Sequence, residues 1–323
     1  MAPLTRRAAL ALPATLAAPA LRAQEAWPAR PLRLVVPYAP GGVTDQLGRF
    51  IAERLSRELG QPVVVENRAG ANTIIGTQAV ATAAGDGYTL LMASGASMVL
   101  NPLLYRRLPY DADRDLTLLA AMVETPLLMV VPPTLPAANL GEFVALARQR
   151  RLNVASVGVG NPIHLAAELF RSAAGIELEN VVYPGSAPAL TALMAGDVQV
   201  MFDVILTALP LVQAGRLRAL AVTTRERVPV LPQVPAIAEL GFPDYEATTW
   251  FGVAAPRSTP QPVQARLREG LAAVQRDSAF QERFGGLGLL IQPLRDEAAL
   301  TRMIETERRR WSQIIQARGI VLD

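Results

Sequence analysis

The chain has 323 residues, 51% of them hydrophobic, and a formal charge of +3 at pH 7. It contains no cysteine, no lysine and one histidine, which excludes disulfides, thiol nucleophiles, thiolate or histidine-rich metal sites, Schiff-base lysines and the P-loop lysine. The length suits two domains of ordinary size, and the small net charge argues against a nucleic-acid-binding protein, which needs a concentrated basic face.

Residues 1–23 have the features of an export signal. Arg6 and Arg7 supply the positive start, and an alanine-rich apolar stretch with small residues at its end follows them. The arginine pair allows twin-arginine export, but no aromatic residue stands two places after it, so general export stays open as well. A membrane anchor is a poor match for a short segment that contains three prolines. We therefore expect a periplasmic protein whose signal is cleaved near Ala20 or Ala23.

The first part of the mature chain alternates between apolar runs and amphipathic segments. Short apolar runs bounded by glycine or proline are typical of buried strands, whereas apolar residues three or four positions apart are typical of helices. The alternation predicts strands at 34–36, 62–66 and 88–93 and helices at 44–59 and 74–84. Strands that alternate with helices favour a mostly parallel sheet with helices on both faces.

The second part repeats this alternation between two longer extended segments, at 121–131 and 245–255. After a helix at 140–150, the pattern predicts strands at 153–157, 178–183, 198–202 and 218–223 and helices at 162–174, 187–195 and 206–214. Three further helices are predicted at 260–275, 278–286 and 296–317.

Two similar series joined by two extended segments predict an α/β protein with two lobes and two crossing segments. Lobe 1 would combine residues 27–122 with 250–323, lobe 2 would be residues 123–249, and the C-terminal helices would pack back on lobe 1. Ligands of such sheets bind at the carboxyl ends of the strands, so we expect the site in the cleft between the lobes. Two crossing segments also permit hinge closure around a ligand.

The turn formed by Pro40, Gly41 and Gly42 joins the first strand to the first helix. The first N–H groups of a helix have no partner within it, and the helix dipole adds partial positive charge, so this unit suits an anion. Tyr38 and Thr44 flank the turn and are predicted to contact the ligand too. Asp45 would repel an anion, and we interpret it as a brace of the loop, with contact to a ligand ammonium group as the alternative.

A turn in the second series is predicted to face the first one. Ser156 ends a strand, and Gly158, Gly160 and Asn161 lead into a helix whose first turn contains His164. A lone histidine is more often structural than functional, so we interpret His164 either as a neutral ligand donor or as a support for the loop. The positive end of the helix opposes its charged form.

Four more residues stand at strand ends or helix starts and complete the predicted ligand site: Ser94, Tyr183, Ser186 and Asp203. Asp203 is interpreted equally as a loop brace or as a ligand group. We predict no catalytic residue, no metal ligand and no cofactor.

The sequence resembles the Bug family of periplasmic solute receptors, which are associated with tripartite tricarboxylate transporters. The resemblance follows the family's order over most of the mature chain. It rests on the segments WPARPLRLVVPYAPGGVTDQLGR (27–49), ENRAGANTIIG (66–76), AAGDGYTLLMAS (83–94), LPYDADRDL (108–116), ASVGVGNPIHLAAELF (155–170), VVYPGSAPALTALMAGDVQVMFD (181–203), ALPLVQAGRLRALAV (208–222) and LPQVPAIAELGFPDYEATTWFGVAAP (231–256).

This resemblance implies a Venus-flytrap periplasmic binding protein, type II-like, that closes over a small carboxylated solute and catalyses nothing. It also implies that the loop after the first strand and the facing loop of the second lobe grip the ligand carboxylate, partly through ordered waters. Membrane transporter subunits would be the partners, and we expect a monomer.

The chain departs from the family's pattern in loops that are predicted to form the site. Thr73 and Ile74 replace a glycine and an asparagine, Val204 replaces an asparagine, and Pro184 stands where a basic residue is common. The stretch Asn161-Pro162-Ile163 lacks the serine or threonine that usually precedes the histidine. Each change removes a polar or charged group from a predicted pocket wall, which favours a less polar solute, such as an aromatic or monocarboxylic acid.

Three functions remain compatible with the sequence. The preferred one is a receptor that delivers a carboxylate to a transporter, followed by an exported sensor that signals to a two-component kinase. A periplasmic enzyme on the same fold is third, because the chain lacks cysteine and lysine and has a solitary histidine. The ligand itself stays open among mono-, di- and tricarboxylates, aromatic acids and amino acids.

Overall fold

The computed structural model describes residues 27–323, so the predicted export signal lies outside the described residues. The first part of the described chain forms β1 (Leu32–Val36), α1 (Val43–Leu59), β2 (Val63–Asn67), α2 (Ile74–Ala81), β3 (Thr89–Ser94), a π-helical turn (Ala96–Leu100), α3 (Asn101–Leu104), α4 (Ala112–Asp115) and β4 (Leu116–Val131).

The second part repeats the alternation of helices and strands. It forms α5 (Leu140–Gln149), β5 (Leu152–Ser156), α6 (Pro162–Ala174), β6 (Leu178–Val182), α7 (Ser186–Ala195), β7 (Val200–Val204), α8 (Ile205–Gln213) and β8 (Arg218–Val222). The remaining elements are a 3₁₀ turn (Ile237–Leu240), β9 (Thr248–Pro256), α9 (Gln261–Arg276), α10 (Ser278–Gly286), β10 (Leu290–Ile291) and α11 (Glu297–Arg318).

The architecture is α/β, and the helices and strands predicted from the sequence are all present. The strand order is β2-β1-β3-β9-β4-β7-β5-β6, with β8 and β10 also paired to β4. β1, β2 and β3 are parallel to each other, and so are β5, β6 and β7. The first parallel β/α group contains β1, β2 and β3, and the second contains β5, β6 and β7. The two groups are connected by one longer strand, β4.

β4 is the element that connects the two groups. Its residues 116–126 pair antiparallel with β9, and its residues 127–131 pair antiparallel with β7 and β8. Thr223, which is fully buried, stabilises β4 at the position where its pairing changes from the first group to the second. Its hydroxyl accepts from the Leu127 N–H at 2.9 Å, and its carbonyl accepts from the Ala247 N–H at 2.9 Å. The chain therefore crosses between the groups through strands that are held together.

The first group is covered on one face by α1 and the C-terminal helices. α1 is amphipathic and buries Leu47, Ile51 and Leu55 against Leu267 and Leu271 of α9. Full burial of such a side chain contributes about 1.5–3 kcal/mol, so this contact fixes α9 on the first group. α11 lies along β4 and also reaches α6 of the second group. Within residues 27–323, no helix has both the length and the apolar character to cross a membrane.

A glycine allows β9 and β4 to approach closely. Gly252 pairs with Ala121, and the register of β4 shifts on both sides of this pair. A Cβ at Gly252 would collide with the carbonyl oxygen of Ala120 and lie 3.1 Å from Cα of Ala121. Because both neighbours are backbone atoms, a side chain at this position has no flexible group to displace.

Candidate functional site

The candidate site lies where the parallel strands of each group end. Because β1, β2 and β3 are parallel neighbours, the turns that follow them, at 37–42, 68–73 and 95–97, lie at one edge of the sheet. The turns after β5, β6 and β7 share an edge of the second group for the same reason.

The two edges meet at the turn after β5. A Cβ on Gly160 would lie 2.6 Å from Leu104 Cδ1 of the first group and 3.2 Å from Leu322 Cδ1. Leu322 is held beside Tyr105 by a parallel bridge, and its N–H donates to the Leu104 carbonyl at 2.8 Å. The C-terminal stretch therefore packs between the first group and the turn of the second.

Asp45 holds the turn after β1 in place. Its buried carboxylate accepts from the Gly41 N–H at 2.9 Å, from Arg49 Nε at 3.0 Å and from Asn67 Nδ2 at 2.9 Å. Burial alone would raise the pKa of this carboxyl, but the hydrogen bonds from Arg49, Gly41 and Asn67 outweigh burial and hold the pKa below its usual value. The carboxylate thus accepts hydrogen bonds from the turn after β1, from α1 and from β2.

The N-terminus of α1 is open beside this brace. Gly42 is the N-cap, no side chain of residues 27–323 caps the helix, and Pro40, Gly41 and Gly42 are exposed. Gly41 has φ +89°, a left-handed conformation that glycine adopts at little cost. The exposed helix start keeps its N–H groups available to an anion. Thr44 is buried one residue further along the helix.

Tyr38 and Ser94 are joined at the same edge. The Tyr38 hydroxyl donates to Ser94 Oγ at 2.9 Å, and the Tyr38 ring packs edge-on against Phe251 with centroids 6.0 Å apart. Burial raises the pKa of Tyr38 to about 12, although the bond to Ser94 opposes this. Ser94 Oγ also accepts from the Ser97 N–H. Ser94 is fully buried, so in this structure its hydroxyl serves the contact between the turns after β1 and β3.

Ser156 carries an unsatisfied polar atom at the edge of the second group. Its side chain is fully buried, and its Oγ has no hydrogen-bond partner within the described chain. Its carbonyl accepts from the Tyr183 N–H at 2.8 Å, which places Tyr183 beside it. A buried hydroxyl without a partner costs about 1–3 kcal/mol, and such groups in native proteins call for an explanation.

Asn161 and His164 mainly organise the turn after β5. Asn161 caps α6 by accepting from the Ile163 N–H at 3.0 Å, which leaves its Nδ2 without a partner in residues 27–323. The Gly160 N–H donates to His164 Nδ1 at 3.2 Å, and His164 Nε2 lies 3.8 Å from Glu168 Oε1. Burial lowers the pKa of His164 although Glu168 opposes it, so the ring is neutral.

Several predicted ligand residues are therefore committed to protein contacts. Both ring nitrogens of His164 face its own turn and helix, which are the contacts of a loop support rather than of a ligand donor. Gly160 uses its N–H for His164 and is buried against Leu104. Gly158, by contrast, has φ +140° and open space around it, so it is accessible to a ligand.

Asp203 connects three elements at the end of β7. Its fully buried carboxylate accepts from the Ser186 hydroxyl at 2.7 Å and from the Thr207 hydroxyl at 2.5 Å. Burial raises its pKa, while the bonds from Thr207, Ser186 and the Val204 N–H oppose the rise. These contacts make Asp203 a brace between β7, α7 and α8. Gly185, just before α7, leaves the start of that helix without a side-chain cap.

Replacing Asp203 by asparagine should remove a pH dependence of stability. A carboxyl whose pKa is raised by folding stabilises the fold below its unfolded value, 3.8, and loses that contribution as the pH rises through the folded pKa. We therefore expect the free energy of unfolding of Asp203→Asn, relative to wild type, to rise between pH 4 and 7. Urea denaturation across that range measures it. If the free energies of unfolding of the two proteins changed with pH in parallel, folding would not raise the pKa of Asp203.

The turn after β2 has a backbone conformation that its sequence does not indicate. Ala71, Asn72 and Thr73 all have positive φ, at 45°, 50° and 75°, although none is glycine. Gly76, just beyond it, packs against the start of the turn after β1, because a Cβ there would lie 2.7 Å from Pro37 Cβ. Asparagine tolerates the left-handed region better than most residues, but alanine and threonine give no sequence signal for it.

Two arginines next to these turns in the sequence, Arg49 and Arg68, are paired with carboxylates. Arg49 bonds to Asp45, and Arg68 bonds to Glu66 at 2.6 Å. An anion at this edge would therefore meet backbone N–H groups and hydroxyls rather than a free guanidinium. Among residues 27–323, no three His, Asp or Glu side chains come together as metal ligands would.

Two cavities of the described chain lie away from these turns. A cavity of about 580 Å³ lies against residues 102–115, and one of about 360 Å³ lies behind β4 and β9, between Glu124, Trp250 and Arg310. Neither is lined by a predicted site residue.

Comparison with known proteins identifies a family model and a relative that match most of the chain. Residues 47–320 match the model of the tripartite tricarboxylate transporter family receptor. The chain is 36% identical over 302 residues to the protein BugT of Bordetella pertussis, a match that covers 92% of each.

Two solved structures from Rhodopseudomonas palustris are also similar. Rpa4515 with adipate has a TM-score of 0.83 at 36% identity and covers 91% of this chain and 99% of its own. MatC with bound malate has a TM-score of 0.79 at 32% identity and covers 90% of this chain and 100% of its own.

Proposed function

The chain belongs to the tripartite tricarboxylate transporter receptor family, and we propose that it is a periplasmic receptor for a small organic carboxylate, which it delivers to a transporter of that type. The observation that carries this proposal is the pair of uncapped helix starts, α1 and α7, at the ends of parallel strands in the two groups. Each start offers free N–H groups and positive dipole charge to an anion. The unpartnered hydroxyl of Ser156 adds a donor.

The ligand is proposed to be a carboxylate with an apolar body. The turns hold a charge through neutral donors, and Ile74 and Val204 stand where the resemblance predicted polar side chains. The structure similar to this chain at 36% identity contains adipate, whose carboxylates are separated by methylene groups. Malate, found in the structure at 32% identity, carries a hydroxyl that needs a polar partner. We therefore expect adipate to bind more tightly than malate.

Closure is proposed to occur between two lobes, residues 27–122 with 250–323 and residues 123–249. The proposal is supported by β4, which changes its pairing from β9 to β7 and β8 between Pro126 and Leu127, and by the return of the chain into β9 at Thr248. A ligand that contacts both lobes stabilises the closed form by its extra affinity for that form. The sites proposed for signal cleavage remain Ala20 and Ala23, and the receptor is proposed to act as a monomer without catalysis.

A thermal-shift screen with adipate, malate, citrate, benzoate and glutamate tests the proposal. A ligand that binds only the folded protein stabilises it by about 2.7 kcal/mol when present at 100 times its Kd. We expect adipate to give the largest rise in Tm. Isothermal titration should then show one site per chain, and chromatography of the mixture should return the ligand unchanged.

Two results would contradict the proposal. If none of the carboxylates raised the Tm, the receptor function would fail for this ligand class. If the recovered ligand were chemically altered, the protein would be an enzyme. A larger rise with malate than with adipate would overturn only the proposed apolar body.

A further inference from the structure

The turn after β2 has a backbone that its residues do not favour. Ala71, Asn72 and Thr73 are consecutive, and all three lie in the left-handed region. For residues with a Cβ this conformation is unfavourable, although less so for asparagine. Such a turn persists only where its surroundings hold it, and it is a reason to look for a functional role.

One buried side chain contacts most of this turn. Asn101, the first residue of α3, is fully buried. Its Oδ1 accepts from Asn72 Nδ2 at 2.9 Å, and its Nδ2 donates to the Asn72 carbonyl at 2.8 Å and lies 3.2 Å from Thr73 Oγ1. Asn101 therefore holds both the backbone and the side chains of the strained residues, from 29 positions along the chain.

The same side chain begins a hydrogen-bond network that links all three turns of this edge. Asn101 Nδ2 lies 3.4 Å from the Tyr110 hydroxyl, which donates to the Ser97 carbonyl at 2.8 Å. Ser97 Oγ donates to the Ser94 carbonyl at 3.0 Å, and Ser94 Oγ accepts from Tyr38. Buried networks of this kind rigidify their members when every group is satisfied.

The strained turn after β2 also lies directly against the turn after β1. Gly76 packs on Pro37, and Asn67 Nδ2 bonds both to Asp45 and to the Tyr38 carbonyl at 3.2 Å. A shift of residues 71–73 would therefore be transmitted to residues 37–42, where the carboxylate is proposed to bind.

We propose that Asn101 is a positioning residue for the ligand site. It holds residues 71–73 in their left-handed conformation, so that this turn forms a third wall beside the turns after β1 and β3. Ligand affinity then depends on Asn101 although Asn101 does not touch the ligand. The effect on ligand affinity rests on the proposed receptor function, whereas the effect on the conformation of the turn does not.

The test combines one disruptive variant with a rescue. Asn101→Leu keeps the side-chain volume but removes every hydrogen bond to the turn. Adding Asn72→Gly and Thr73→Gly relieves the backbone strain, because glycine adopts positive φ freely. Hydrogen exchange of amides 70–76 reports the turn, and titration with adipate reports the site. Gln275→Leu is the control, since Gln275 is a buried amide that bonds the Ala121 and Gln292 carbonyls far from these turns.

We expect Asn101→Leu to speed exchange at 70–76 and to weaken adipate binding at least tenfold. The two glycines should restore binding to within about threefold of wild type, while Gln275→Leu should lower the Tm without changing adipate affinity. Unchanged exchange at 70–76 in Asn101→Leu would overturn the proposal, and so would a lower Tm with unchanged affinity. If wild type bound no carboxylate, the receptor function would fail, and the exchange data would still decide whether Asn101 holds the turn.

Discussion

Replacing Gly42 by valine is expected to weaken carboxylate binding by roughly 10- to 100-fold while the protein stays folded. Gly42 has φ −73° and ψ 174°, which any residue can adopt, and the nearest atom to an added Cβ is the Ala39 carbonyl oxygen at 3.9 Å. The valine side chain would instead occupy the space in front of the helix start. Hydrogen bonds to a charged group are worth about 1.5–3 kcal/mol, and 1.4 kcal/mol is a factor of ten in affinity.

Isothermal titration with adipate measures the effect, and Gly286→Val is the matched control. Gly286 lies at the end of α10 with open space around it, and it has no part in the proposed site. The control should bind adipate like wild type. Unchanged affinity in Gly42→Val would remove the start of α1 from the ligand site. Valine is a poorer N-cap than glycine, so a fall in Tm of a few degrees is compatible with the prediction.

Replacing Gly252 by valine is expected to destabilise the protein by about 3 kcal/mol or more. The added Cβ would overlap the carbonyl oxygen of Ala120 and crowd Cα of Ala121, and neither backbone atom can move without disturbing the pairing of β4 with β9. Overpacking of a well-packed interior costs about 1–3 kcal/mol, and this position is worse because no rotamer change relieves the clash. β9 also pairs with β3, so the damage would spread to both neighbours.

Urea denaturation followed by circular dichroism measures this loss, with Gly286→Val again as the control for the chemical change. The midpoint should fall strongly in Gly252→Val and stay near wild type in the control. A Gly252→Val protein with an unchanged midpoint would mean that β4 and β9 can separate at little cost. In that case their close approach would not fix the crossing between the two groups.

Much of the fold could be predicted because its signals are local. The apolar run at 34–36, the glycines that follow it and the spacing of Leu47, Ile51 and Leu55 indicate a strand, a turn and a helix without knowledge of any distant residue. The same local logic predicts that the turns after parallel strands share an edge.

The remaining features depend on partners that are distant in the sequence. Nothing near Asn72 shows that Asn101 will stabilise positive φ there, and nothing near Gly160 shows that Leu322 will pack on it. The pattern around His164 left two roles open, because only the structure shows its contact with the Gly160 N–H. The orphaned hydroxyl of Ser156 likewise becomes visible only when its surroundings are known.

The packing of Leu322 between Leu104 and Gly160 has a practical consequence for optical sensing. Val321, the preceding residue, is 50% exposed, and the native chain contains no cysteine that would compete for a thiol-reactive dye. A single cysteine introduced at this position would carry a fluorophore next to the turn of the second group, outside the proposed ligand contacts. Its emission would change when the groups move relative to one another, which converts the receptor into a reagentless sensor for its solute.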